Sequence, residues 1–154
     1  RQVAQSGFGS ALRIVDSYDP SLPPVLVHRD SLVQILLNLL KNAAETAAEG
    51  ETRTVRIRTA YRQGVSLAGE AGKRRRSLPI ELCVIDDGPG APPELADDMF
   101  DPFVSTKKAG RGLGLAIADK LMRDMGGIIQ YSREGYPEMT VFRLLLQRAE
   151  SQIL

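Results

Sequence analysis

Apolar and polar positions alternate over residues 11–18, ALRIVDSY, and the β-branched content predicts a strand. A second, short strand is expected at 24–28, PVLVH, after the turn-like DPSLPP. The period then changes. Behind Asp30, a candidate N-cap, Leu32, Leu36, Leu39, Leu40, Ala43 and Ala47 recur at helical spacing, which predicts a helix to about Ala48, closed by Gly50. TRTVRIRTAY (52–61) and LPIELCVID (78–86) read as strands, and the connection between them, GVSLAGEAGKRRRS, is longer than most loops in compact domains. A second long helix places Leu113, Ile117, Leu121 and Met125 on its core face and ends at Gly126 and Gly127. IIQYSRE (128–134) and EMTVFRLLLQ (138–147) form an expected hairpin around Gly135-Tyr136-Pro137. The order predicts an α+β fold with helices on one face of a mixed sheet.

Composition narrows the class without changing that picture. A chain of 154 residues suits one domain. With 43% hydrophobic residues, 25% charged and a net charge of +1, nothing draws it as a whole toward nucleic acid or a membrane. The single cysteine, Cys83, sits in the apolar run IELCVI; it has no partner for an intramolecular disulfide and reads as a small buried hydrophobe in a reducing compartment. No apolar stretch is long enough to span a bilayer, and RQVAQSGFGS at the start lacks the apolar segment of a signal peptide.

Candidate chemistry concentrates in three places. AGRGLGLAIADK puts Gly110, Gly112 and Gly114 at a helix start. A dinucleotide fingerprint fails there, because the spacing is G-x-G-x-G and the preceding STKKA is polar; the Walker pattern is absent; and His28-Arg29-Asp30 lacks the asparagine of a protein-kinase loop, Ile35 standing in its place. Two readings stay open: a flexible loop, or opening amides left free to close on an anion at the positive end of the helix dipole. Each glycine costs roughly 1 kcal/mol of helix propensity, which favours a ligand. On the first helix Gln34, Asn38 and Asn42 share a face; either they meet solvent and neighbouring backbone, or Asn42 offers a neutral oxygen to Mg²⁺. DDGPG at 86–90 is good turn chemistry, and it would also let a flat ring approach while the Asp86 carboxylate accepts a bond from an exocyclic amine. The next segment, with Phe100, Pro102 and Phe103, reads as a lid with apolar anchors.

In order and spacing, QILLNLLKNAAE (34–45), DDGPG (86–90), MFDPF (99–103) and GRGLGLA (110–116) resemble the N, G1, F and G2 boxes of the ATP-binding domain of bacterial sensor histidine kinases, a fold shared with gyrase, the Hsp90 chaperone and mismatch-repair ATPases. DPSLPPV, FVSTK and the basic loop resemble the nitrogen-regulation (NtrB-type) branch. The resemblance implies a two-layer α/β sandwich of Bergerat type, with ATP or ADP between the helix layer and a lid. It implies that Asn42 binds Mg²⁺, that Asn38 lines the site and acts with Asn42 in catalysis, and that Asp86 recognises adenine in a pocket shaped by Gly88 and Gly90. Gly110, Gly112, Gly114 and Leu115 would close on the phosphates, with Phe103, Thr106, Lys107, Arg111 and Leu113 completing the nucleotide contacts. Arg111 departs from the serine or threonine common there, and Glu45 from the cation many relatives carry.

The related hydrolases hold a water-activating glutamate one helical turn before the Mg²⁺ asparagine. Here that position is Asn38, a poor base, which favours delivery to a protein acceptor. The one histidine, His28, lacks the neighbours of a phosphoacceptor and reads as structural. The resemblance therefore implies a catalytic domain (10–148) whose histidine-bearing dimerisation helices lie upstream, residues 1–9 being the end of the linker and 149–154 a tail. It implies a response regulator as onward partner, a monomeric fragment, a homodimeric full protein and a cytoplasmic location. Two other functions remain open: a nucleotide-gated binding module, and a homologous serine kinase. Lys73 to Arg76 read as a solvated turn rather than a docking patch.

Overall fold

A computed structural model describes residues 12–22, 27–48, 50–62, 66–67, 76–101 and 111–149. Its elements are β1 (Leu12–Ser17), α1 (Arg29–Ala44), β2 (Arg53–Tyr61), β3 (Ser66–Leu67), β4 (Arg76–Ser77), β5 (Ile80–Asp86), the single turn α2 (Pro93–Ala96), α3 (Arg111–Asp124), β6 (Ile128–Glu134) and β7 (Met139–Leu146). The main sheet runs β1-β2-β5-β7-β6; β1 is parallel to β2 and every other pair is antiparallel. The expected mixed α+β architecture is the one observed.

Register shows why one face is covered. Row by row across the sheet, Ile57, Val84, Phe142 and Tyr131 align, as do Leu82, Leu144 and Ile129. These side chains form one core with Ile35, Leu39, Leu40 and Ala43 of α1 and Leu115, Ala118 and Met122 of α3. Both long helices therefore lie on the same side. They run antiparallel to each other, since the Asn38 amide reaches Gly114 while the His28 amide reaches Met125 at the far end. Cys83 points to the other face, is fully buried, and its thiol pKa is raised by that burial.

Several boundaries differ from expectation. His28, expected in a strand, is the N-cap of α1: its Nδ1 accepts the Ser31 amide at 3.2 Å, leaving Asp30 in the first turn, where a carboxylate complements the dipole. Residues 24–26 of the expected second strand lie outside the described residues. Helix α1 ends at Ala44 rather than Ala48, because Thr46 and Ala47 turn back in tight bonds to Ala43 and Ala44. On α3, Ile117 is 47% exposed; the buried face is Leu115, Ala118 and Met122, the side that looks into the corner between α1 and the sheet. Gly126 and Gly127 do end α3, bonding back to Arg123 and Met122 in a Schellman arrangement. The long connection after β2 begins as a continuation of the hairpin, with Ser66 opposite Ser77 and Leu67 opposite Arg76. Its Lys73, Arg74 and Arg75, together with residues 1–9 of the expected linker and 150–154 of the tail, fall outside the described residues.

Candidate functional site

Polar and charged side chains gather at one end of the helix-facing side of the sheet. There the row reads Ile14, Val55, Asp86, Thr140, Arg133, with Arg53 beside it opposite Leu12. Asp86, the last residue of β5, is only 4% exposed. Its Oδ1 accepts the Gly88 amide at 2.7 Å, the side-chain bond that closes the turn, while Oδ2 has no partner among the described residues. Burial pushes the Asp86 carboxyl above its ordinary range; the Gly88 amide, Arg53 and Arg133 oppose this, and the neighbouring Asp87 adds to it.

The turn is held from both sides. Arg133 Nη1 donates to the Gly88 carbonyl at 2.6 Å, Thr140 Oγ1 donates to the same oxygen at 3.2 Å, and the Ala91 amide donates to Tyr131 Oη at 2.9 Å. From β2, Arg53 Nη1 reaches Asp87 Oδ1 at 3.3 Å. Glycine is required at both expected positions. A Cβ at 88 would lie 2.7 Å from Asp86 Oδ1 and 2.9 Å from Thr46 Oγ1. Gly90 has φ +75°, and a Cβ there would stand 2.5 Å from Tyr131 Oη.

Helix α1 spans the site. Asn38 Nδ2 donates to the Gly114 carbonyl at 3.1 Å, and its Oδ1 accepts from Gln34 Nε2 at 2.9 Å, so both ends of the amide are engaged. Asn42, one turn on and level with the N-terminal end of α3, is half-buried with no side-chain partner among the described residues. One further turn brings Thr46, which donates to the Ala43 carbonyl at 2.7 Å and accepts from Arg53 Nε at 2.9 Å. A single polar stripe, Gln34, Asn38, Asn42, Thr46, thus runs from the start of α3 to the Asp86 turn. The donor set suits Mg²⁺ bound mainly through phosphate oxygens and water: Asn42 offers a neutral oxygen, and the described residues hold no cluster of His, Cys, Asp or Glu able to cage a metal.

The described part of α3 begins at Arg111. Leu115, expected at the phosphates, sends its side chain into the core at 7% exposure. A Cβ at Gly114 would lie 3.8 Å from Asn38 Cγ, an ordinary contact, so packing does not demand glycine there. Phe100 anchors edge-on against Phe142, with ring centroids 6.3 Å apart. Phe103, Thr106, Lys107 and Gly110 lie outside the described residues, and of Arg111 and Leu113 only the backbone is described.

Sequence reasoning missed Thr46, Arg53, Tyr131, Arg133 and Thr140. Alternation carried a signal for most of them: Arg53 is in phase with Val55 and Ile57, Thr140 with Phe142 and Leu144, and Tyr131 with Ile129, all on the buried face. Thr46 continues the spacing of four from Asn38 and Asn42, beyond the helix end.

Comparison with known proteins finds a family and relatives for the chain. Residues 27–150 match the family described as histidine kinase-, DNA gyrase B- and HSP90-like ATPase. The chain is 45% identical over its full length to the sensory histidine kinase/phosphatase NtrB of Rhizobium leguminosarum bv. phaseoli, covering 40% of that protein. It is 46% identical over 146 residues to NtrB of Azospirillum brasilense, 95% of this chain and 36% of that one. The chain thus spans well under half the length of these curated relatives. Among solved structures, full-length ShkA in complex with AMPPNP superposes with a TM-score of 0.69 at 28% identity, over 98% of this chain and 30% of ShkA.

Proposed function

Since the chain belongs to the histidine kinase-, DNA gyrase B- and HSP90-like ATPase family, in its histidine-kinase branch, we propose that it binds Mg-ATP and delivers the γ-phosphoryl group to a histidine on a dimerisation domain of the same protein, for onward passage to a response regulator. The observation that carries this reading is the polar stripe of α1. Asn38 meets the start of α3 at Gly114, and Thr46 meets the Asp86–Gly88 turn, so one helix face borders both a phosphate end and a base end.

In this reading Asp86 accepts the exocyclic amine of adenine through its unengaged oxygen. The opening amides of α3, with Gly110, Gly112 and Gly114, face the phosphates. Asn42 holds the metal through its side-chain oxygen, together with phosphate oxygens and water. When bound, Mg²⁺ offsets the charge that builds on the transferring group. Phe103, Thr106, Lys107, Arg111 and Leu113 complete the enclosure, while Leu115 anchors the start of α3 from the core. Asn38, bonded at both ends of its amide, orients rather than abstracts a proton, which favours transfer over hydrolysis.

No helix among the described residues is long and apolar enough to cross a membrane. We place the domain in the cytoplasm, where ATP is supplied, with 1–9 as the end of a linker, 10–148 as the catalytic domain and 149–154 as a tail. The fragment is monomeric and the full protein a homodimer. The test incubates this chain with γ-labelled ATP and a separately produced histidine-bearing helical domain. Acid-labile label on the helices is expected. Nucleotide binding with no label would defeat the kinase reading in favour of a nucleotide-gated binding module, and acid-stable label would point to a serine kinase.

A further inference from the structure

Arg53 is the one buried arginine among the described residues, at 7% exposure, and it stands on the helix-facing side of the sheet where the alternation calls for an apolar residue. A buried guanidinium is costly unless each donor is matched. Here every nitrogen has an acceptor, four bonds serving the five N–H groups: Nε to Thr46 Oγ1 at 2.9 Å, Nη2 to the Thr46 carbonyl at 2.6 Å and to Glu51 Oε1 at 3.2 Å, and Nη1 to Asp87 Oδ1 at 3.3 Å. The Thr46 carbonyl lies just past the end of α1, and Asp87 adjoins Asp86. One planar fork therefore ties the C-terminal end of the Asn-bearing helix to the turn that carries Asp86. Nothing else among the described side-chain bonds makes that connection. The fit is tight: the point where a Cβ of residue 88 would sit lies within 3.2 Å of Asp86 Oδ1, Thr46 Oγ1 and Arg53 Nε together.

We infer that Arg53 is a positioning residue for base recognition, holding the Asp86 carboxylate and the Asn42 turn of α1 at the separation one purine nucleotide requires. It touches neither base nor phosphate and acts through Thr46 and Asp87. It also supplies positive charge beside Asp86, shared with Arg133 from β6 and opposed by Asp87 in the turn; Glu51 backs the guanidinium, while Thr46 from α1 and Thr140 from β7 are uncharged. An ionised Asp86 accepts from the amino group of adenine and repels the carbonyl oxygen of guanine; a protonated one donates to guanine instead. Arg53 thus keeps the base preference for adenine in force at lower pH.

The inference rests on the reading of Asp86 as the base contact, and the experiment separates the two. ADP and GDP are titrated into this chain across pH for the wild type, Arg53→Met, Arg53→Lys, Thr46→Val and Asp86→Asn, with folding checked by circular dichroism. Arg53→Met is expected to weaken ADP binding about tenfold, the scale of a lost charged hydrogen bond, with GDP much less affected. Its preference for adenine should also fail at a higher pH than in the wild type. Arg53→Lys keeps the charge but cannot span Thr46 and Asp87, so it should retain the wild-type pH midpoint while still losing ADP affinity. Unchanged ADP affinity and midpoint in Arg53→Met, or equal loss of ADP and GDP with an unmoved midpoint, would overturn the inference. If Arg53→Met fails to fold, Arg53→Lys and Thr46→Val decide it, and wild-type ADP affinity in both overturns it. Unchanged ADP affinity and base preference in Asp86→Asn would instead remove the reading on which the inference stands.

Discussion

Gly114→Ala separates the two explanations for glycine at the start of α3. In a helix, alanine exceeds glycine by roughly 0.5–1 kcal/mol, because the glycine backbone loses more freedom on ordering. The gain is realised only if the added methyl group fits. Its position lies 3.8 Å from Asn38 Cγ and 3.9 Å from Asn38 Cβ, ordinary contact distances, and the bond from Asn38 Nδ2 uses the Gly114 carbonyl, which alanine retains. The variant should therefore raise the free energy of unfolding by up to about 1 kcal/mol, read from the urea midpoint at constant slope. If phosphates approach this turn, the same methyl group obstructs them, and ATP affinity should fall by about tenfold, or about 1.4 kcal/mol, in calorimetric titration. A protein both more stable and weaker in binding is the expected pair. Lower stability would show that the glycine serves the contact with α1, and unchanged ATP affinity would show that no phosphate comes near it.

Gly88→Ala should act in the opposite sense on stability: its methyl group collides with Asp86 Oδ1 at 2.7 Å and Thr46 Oγ1 at 2.9 Å, so a loss of about 1–3 kcal/mol is expected in the same urea assay, together with weakened ATP binding. Asp86→Asn should stabilise the empty protein at neutral pH while weakening ATP binding. Burial raises the folded-state pKa of this acid above its unfolded value, so stability is greatest below the unfolded pKa and falls as pH rises through the folded one; asparagine removes that slope, and thermal melts from acid to neutral pH check it. Asn42→Ala should leave metal-free ADP binding near wild type and abolish most of the strengthening that Mg²⁺ brings, measured by titration with and without the ion.

Periodicity made most of the fold legible. The alternation of RTVRIRTAY and of MTVFRLLL places the strands and, through their phase, the face that meets the helices. It failed where two surfaces compete for one helix: on α3 a regular Leu113, Ile117, Leu121 spacing marks a stripe, yet Ile117 is exposed, because the corner between α1 and the sheet selects Leu115, Ala118 and Met122. Helix ends were also misread where a side chain took over the capping, His28 at the start of α1 and Thr46 beyond its end. In the site, the residues with unusual local chemistry, Asn38, Asn42, Asp86, Gly88 and Gly90, stand out in one dimension. The residues that hold them do not, since an arginine or threonine in a strand looks like surface until its partners are known.

Residue type and spacing by themselves determined the helical and extended periods, the turn at 86–90 and the polar stripe of α1, all consequences of neighbours a few positions apart. Only the tertiary structure decided that the stripe and the turn lie side by side. That depends on contacts far apart in the chain, Asn38 with Gly114 and Arg133 with Gly88, and on a buried charge, Arg53, that is tolerable only because folding brings Thr46 and Asp87 to its donors.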